Sequence, residues 1–249
     1  MRIENDGLPQ PVYEWILATQ SEYSKGDADI SVTELINPPR VRILRKKHDK
    51  DLVVQASTLL NSTLGTTVHK AIQASCKTGI SERRLSIEVM GWKISGGMDH
   101  WHYGVLSDWK TCNKFKTTLC DNGVVEEFEN QLNVYAQILR SNKMIVDKLK
   151  IFALFKDWNR SEYGRYLAKG EIFHPGLRNG YPEKEWLYFD LRLWDEEEAL
   201  SYLESRVKLH QDAEKVLPLC SREETWRGTR CSRYCEPGMN GFCTQIKGA

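Results

Sequence analysis

The chain has 249 residues, enough to bury one substantial core with a small appended module, and its 35 Lys and Arg against 34 Asp and Glu leave a formal net charge of +1. No apolar run reaches the length of a membrane-spanning helix, and no internal repeat or low-complexity tract occurs, which excludes helical membrane, solenoid and disordered classes. A chain this close to neutral can meet nucleic acid only through a local basic patch, not through a global field.

In chain order, residues 1–30 read as a helical arm. Ser31-Val-Thr-Glu-Leu-Ile-Asn-Pro-Pro-Arg40 follows, and Arg40, Arg42, Arg45, Lys46 and Lys47 then form a basic cluster. Such a cluster is either a phosphate-binding surface or a solvated helix face. Residues 64–72 read as a helix with Leu64, Val68 and Ile72 on one apolar stripe and His69 beside it, facing inward. An imidazole there is either a core residue bonded to backbone or a ligand for manganese or iron. Residues 84–91 alternate as a strand carrying Glu88. Residues 92–101 form another, in which Gly96-Gly97 predicts a bulge or turn before Asp99. The alternative for Asp99 is a turn carboxylate that caps backbone amides.

Asp108-Trp109-Lys110 ends the next strand. Side chains alternate along a strand, so the carboxylate and the lysine share one face. Carboxylates from adjacent strand ends hold a hard divalent cation, and a lysine beside them can orient a water that attacks phosphorus. The plainer reading of such a triplet is a surface ion pair. A polar, lysine-bearing loop over 113–125 leads to a helix over 126–139, with acids in its first turn and Gln131 and Tyr135 four apart on one face. An amide and a phenol so placed can bind a phosphate or brace a metal site, although tyrosine on an apolar stripe is usually core. Residues 148–158 and 185–194 read as strands. Between them lies a Gly- and Pro-containing loop with Arg165, Lys169 and Arg178, and Asp195 opens a helix that runs to about Val216.

Of seven cysteines, Cys220, Cys231, Cys235 and Cys243 crowd the end of the chain, whereas Cys112 and Cys120 read as ordinary thiols. No apolar signal peptide opens the sequence, so the expectation is a reducing compartment and a thiolate metal centre, iron–sulfur or zinc, rather than disulfides.

Taken in order, His69 in a Gly-x-x-x-His helix, Asp99 after Gly-Gly-Met, Asp108-x-Lys110 and Gln131-x-x-x-Tyr135 resemble the PD-(D/E)XK nuclease superfamily in its RecB-like branch, which includes lambda-type exonucleases and CRISPR adaptation nucleases. The segment from Ser31 to Arg40 also resembles the opening of that branch. The resemblance runs from about Ser31 to the C-terminus. It implies an α/β, restriction-endonuclease-like core over 31–217, a mixed central sheet flanked by helices, with an arm over 1–30 before it and a cysteine-rich metal-binding tail over 218–249. His69, Asp99 and Asp108 would be metal ligands, joined by the carbonyl of Trp109. Lys110 would position the attacking water, and Glu88 would bind a second metal or orient the ligands. Gln131 and Tyr135, with Arg40 and Arg42 of the basic cluster, would contact substrate. This sequence has Asp where many relatives carry Glu at the middle acidic position, an exchange of one hard oxygen ligand for another. Several RecB-like nucleases hold a four-cysteine cluster with one cysteine far upstream. Here all four are C-terminal unless Cys76 replaces Cys220, so both [4Fe-4S] and Zn2+ stay open.

The implied function is a metal-dependent deoxyribonuclease using Mg2+ or Mn2+. The expected form is an exonuclease of phage or bacterial DNA recombination, repair or replication, cytoplasmic, with DNA as substrate and a recombinase or single-strand annealing protein as partner. An endonuclease of the same fold is one alternative. A non-catalytic nucleic-acid-binding scaffold is another, but such a module has no reason to bury like charges together.

Overall fold

The computed structural model describes residues 1–21, 25–114, 116, 125–172 and 180–245; Cys120, Arg178 and most of the expected 113–125 loop lie outside these. The short strand β1 (Arg2–Glu4) and helix α1 (Gln10–Ser21) come first, then β2 (Ile30–Ser31). Ser31 Oγ accepts from the Glu34 N–H at 3.2 Å while the Glu34 carboxylate accepts from the Ser31 N–H at 3.0 Å. This reciprocal box fixes the start of α2 (Val32–Ile36). Pro38-Pro39 separates it from α3 (Pro39–His48), because a proline suits only the first turn of a helix. β3 (Val53–Gln55) pairs in parallel with β1, and α4 (Leu60–Ser75) follows.

The central sheet is built by two tight turns. β4 (Ile80–Val89) returns as β5 (Trp92–His102) through Met90-Gly91, and β5 returns as β6 (Val105–Cys112) through Tyr103-Gly104. All four turn residues have positive φ, 50° and 76° in the first turn and 44° and 78° in the second. That is the type I′ conformation, whose twist matches the flanking strands. Gly96-Gly97, where a bulge or turn is expected, instead lies inside β5. Neither glycine has positive φ, so Asp99 sits in mid-strand rather than at a hairpin tip.

Helix α5 (Glu126–Ser141) joins β6 to its parallel neighbour β7 (Lys148–Phe155). Helix α6 (Arg160–Ala168) occupies part of the segment expected as loop, started by Asn159, whose side chain accepts from the N–H groups of Ser161 and Glu162. β8 (Trp186–Leu191) pairs antiparallel with β7, and α7 (Glu196–Lys215) follows. The tail holds two short helices, α8 (Thr229–Arg233) and α9 (Glu236–Met239). The sheet order is β2-β5-β6-β7-β8, with β4 on β5. The fold is mixed α/β, a mixed sheet flanked by helices. Among the described residues no helix is long and apolar enough to cross a membrane.

The chain divides into two compact units. One comprises Met1–Leu64, Glu88–Ile94 and Ser201–Ala249, the other Gly65–Ile87 and Ser95–Leu200. In the first, the C-terminal end of α2 is tied by donors from later in the chain. Arg206 donates to the carbonyls of Leu35 and Asn37 at 3.0 and 2.7 Å, and His210 Nε2 bonds the Leu35 carbonyl at 3.0 Å. His210 Nδ1 accepts from Arg42 Nε at 3.1 Å, so the ring is the neutral Nε2–H tautomer. Burial pushes its pKa down to about 4, with the neighbouring arginines adding to the effect.

In the second unit α5 lies against β6 and β7. Leu149, Ile151, Ala153 and Phe155 alternate inward on β7, and Phe128, Leu132, Ile138 and Leu139 cover them from α5. Asn133 locks this packing. It donates to the carbonyls of Glu129 and Arg192 at 3.0 Å each and accepts from the Trp194 N–H at 2.8 Å. Asn133→Ala leaves buried backbone groups without partners and is expected to cost about 2–3 kcal/mol in urea denaturation. A loss below about 0.5 kcal/mol would mean that α5 is held by apolar burial alone.

Candidate metal centre

The antiparallel register pairs His100 with Ser107. One step further it sets Asp99 of β5 opposite Asp108 of β6, with Lys110 two residues on and on the same face. Trp109 ties the two strands here: its N–H donates to Asp99 Oδ2 at 2.7 Å. His69, in the second half of α4 and partly buried, brings Nδ1 to 3.3 Å from the same Asp99 oxygen. Within one unit His69 thus meets Asp99 and Lys110 meets Asp108, while Asp108 itself lies outside the group of ligand atoms within 4.8 Å of one another.

Lys110 is held from both sides. Its Nζ lies 2.7 Å from Asp108 Oδ2 and donates to Gln131 Oε1 at 2.9 Å. Gln131 Nε2 in turn donates to the Tyr135 hydroxyl at 3.3 Å, and the ring of Phe128 lies 5.2 Å from the ammonium. Gln131 and Tyr135 were expected at the substrate. Here both amide atoms of Gln131 are engaged internally and Tyr135 is buried, so the pair fixes the lysine. Burial pushes the Tyr135 phenol up to about 12, keeping it a neutral hydroxyl.

The electrostatics are those of crowded carboxylates. Asp108 is only 4% exposed, and among the described residues no backbone amide reaches its Oδ2. Its close partner there is the Lys110 ammonium, 2.7 Å away. Burial raises the Asp108 pKa to about 6; Lys110 opposes that shift and Asp99 adds to it. For Lys110, burial works against the charged form, but the Asp108 and Asp99 carboxylates outweigh it and raise the pKa. His69 behaves likewise, raised by its bond to Asp99 and the charges of Asp99 and Asp108 against the effect of burial.

A residue outside the expected set completes the cluster. Glu82 of β4 offers a carboxylate oxygen that, with one ligand atom each from His69 and Asp99, forms a group lying within 4.8 Å of one another. These three could hold a metal ion. Glu82 has φ of 52°, which breaks the strand's alternation at that point, so no spacing rule in the sequence would have singled it out. Glu88, expected to assist, lies further along the same strand, is exposed and is outside this group.

In the first unit, Cys220, Cys231, Cys235 and Cys243 line one small cavity together with Arg40. Cys220, not the exposed Cys76, joins the three later cysteines. Arg40 and Arg42, expected on a substrate surface, turn inward. Arg40 is 6% exposed and donates to Cys243 Sγ at 3.2 Å, to the Pro218 carbonyl at 3.0 Å and to Thr244 Oγ1 at 3.4 Å. None of these partners is a carboxylate, and a buried guanidinium needs a counter-charge. Four thiolates around a zinc ion or an iron–sulfur cluster would supply one, so the residues fit such a group. Arg42 is spent on His210 and Glu214. The solvent-facing remainder of the basic cluster is Lys46, Lys47 and Arg45, the last paired with Glu236.

No family model and no curated protein sequence matches the chain. Among solved structures, the crystal structure of SSO0001 superposes with a TM-score of 0.58 over 96% of this chain and 98% of that one, at 17% identity. At this identity the likeness establishes a shared fold and nothing more. A structure from Eubacterium rectale described as a "putative exonuclease" aligns with a TM-score of only 0.34 over 82% of this chain and 66% of that one, at 14% identity, and carries no weight.

The raised pKa values have a consequence for stability. Asp108 stabilises the fold fully below its unfolded value near 3.8 and loses that contribution as pH rises through about 6. His69 contributes fully below 6.5 and loses its contribution as pH rises through its raised folded value. In EDTA the protein should thus become less stable to urea by roughly 3 kcal/mol between about pH 4 and pH 6 and lose further stability above pH 6.5 through His69, and Asp108→Asn should flatten the lower part of that slope. Parallel slopes for the two proteins would show that Asp108 ionises freely.

Proposed function

We propose that the protein is a metal-dependent nuclease that hydrolyses phosphodiester bonds in DNA, as an exonuclease. The observation that carries this reading is the crowding of the carboxylates: buried Asp108 is ion-paired with Lys110 at 2.7 Å and interacts with Asp99 and His69. A binding scaffold gains nothing from such an arrangement, because burying carboxylates together costs several kcal/mol unless a cation joins them. The order of the motifs along the chain supports the same reading.

His69, Asp99 and Asp108 would hold the cation, and their nitrogen and carboxylate donors suit Mn2+ better than Mg2+. A divalent cation in that position supplies Lewis-acid charge to the phosphoryl oxygens and acidifies a water near neutral pH. Lys110 places a fixed positive charge beside the scissile phosphate and orients the attacking water through an Nζ proton. Gln131 and Tyr135 keep that ammonium from rotating away. Asp99, bonded to the Trp109 N–H, holds the two strand ends together as charge builds.

The four C-terminal thiols around Arg40 are read as a structural metal centre, iron–sulfur or zinc, that fastens the tail to α3. As for partners, a recombinase or single-strand annealing protein remains the proposal.

Asp108→Ala and Lys110→Ala should each lower Mn2+-dependent degradation of end-labelled linear DNA by at least about 100-fold while leaving DNA binding within a few-fold of the parent. Intact single-stranded, duplex and branched DNA after incubation of the parent protein with Mn2+ would sink the nuclease reading. For the tail, anaerobically purified protein should carry stoichiometric iron and sulfide or stoichiometric zinc, and Cys231→Ala should lose it. Metal-free parent protein that melts like the loaded form would remove the structural role.

A further inference from the structure

We infer that Glu82 is a ligand of the divalent cation, bound jointly with His69 and Asp99, and that it sets the affinity of the site from its solvent-facing side. This rests on the nuclease reading above and adds a residue to it. One atom from each of these three side chains already lies within 4.8 Å of the others. Around a cation with bonds of about 2.1–2.2 Å, ligand atoms stand about 3 Å apart when adjacent and about 4.3 Å apart when opposite, so closing the triad needs only side-chain adjustment.

Two further observations point the same way. Asp108 is buried, pairs with Lys110 through Oδ2 and interacts with both Asp99 and His69, so a further carboxylate stands beside the triad although outside it. Glu82, the third residue of β4, joins that group with its backbone left-handed, at φ of 52°. A non-glycine residue held there by the fold is uncommon and strained, and such strain persists where the surroundings impose it.

The ligands then divide by environment. Asp108 is buried and paired with Lys110, so it is committed to the reacting side. Glu82 is exposed, and the cations that act on it are His69, Arg84 and Lys70 rather than Lys110. Its carboxylate can leave and rejoin the cation without disturbing the lysine clamp, which makes it the entry and exit ligand. The charge it adds is also what a site with one neutral imidazole needs to hold a 2+ ion against solvent.

The test is direct binding of Mn2+, followed by the free-ion EPR signal at pH 7.5, for the parent protein, Glu82→Gln and the remote surface variant Glu185→Gln. Glu82→Gln should weaken binding about 10-fold or more, with an unchanged melting temperature in EDTA and a smaller rise in melting temperature on adding Mn2+. Glu185→Gln should bind as the parent does, which separates ligation from loss of one negative charge. Parent-like affinity in Glu82→Gln would overturn the assignment while leaving the nuclease reading standing. If the parent itself bound no Mn2+, both would fall. A variant that melted early even in EDTA would assign Glu82 to folding and overturn its role as a ligand.

Discussion

The ion pair between Asp108 and Lys110 is the constraint around which the second unit is arranged. Two charged groups on one strand face, one nearly without solvent contact, are costly to bury, and their mutual attraction offsets that cost only if both are held in place. The holding is done by α5. Its apolar stripe packs it on β6 and β7, and that packing brings Gln131 to Lys110 and Tyr135 to Gln131. The parallel β6–β7 crossover, the Asn133 lock and the aromatic floor at Phe128 all serve to fix where one ammonium stands. Even so the account does not balance within the protein. Asp99 and Asp108 face each other across two strands and Glu82 stands beside Asp99, with Lys110 and His69 acting on Asp108 and with His69, Arg84 and Lys70 acting on Glu82.

Much of this was legible in the sequence because it follows from period. The two-residue spacing of Asp108 and Lys110 fixes a shared strand face, and the four-residue spacing of Gln131 and Tyr135 fixes a shared helix face. Those rules need no tertiary information, and they held. The helix bearing His69, the strands from 84 to 112 and the long helix from 196 were readable for the same reason. Gly96-Gly97 misled because glycine signals a turn only when positive φ is required, and here the pair continues an ordinary strand. The turns went instead to Met90-Gly91 and Tyr103-Gly104, where a residue before glycine accepts positive φ to match strand twist.

What sequence could not supply were partners far apart in the chain. Arg40 looked like part of a basic surface, since five cations stand within eight residues of one another. Its actual environment is set by residues about two hundred positions later, Cys243 and Thr244, and by the Pro218 carbonyl. Arg42 is likewise claimed by His210 and Glu214. Glu82 was invisible for the opposite reason. It is close in sequence to the other site residues, but a left-handed backbone cancels the alternation by which its direction would be inferred.

Arg40 and the thiols pose the mirror image of the carboxylate problem. In one unit three carboxylates crowd together with Lys110 paired to Asp108 alone, and in the other a guanidinium is buried among neutral groups. Each imbalance has the sign that a bound metal species would correct. A divalent cation adds positive charge among Glu82, Asp99 and Asp108, whereas a thiolate-ligated centre carries net negative charge next to Arg40. A protein that used these residues only for packing would have no reason to leave both imbalances in place, because a neutral isostere at either position would be less costly to bury. The two groups differ in softness as well as in sign: hard carboxylates and an imidazole on one side, soft thiols on the other, so metals bound at the two places would be chemically distinct.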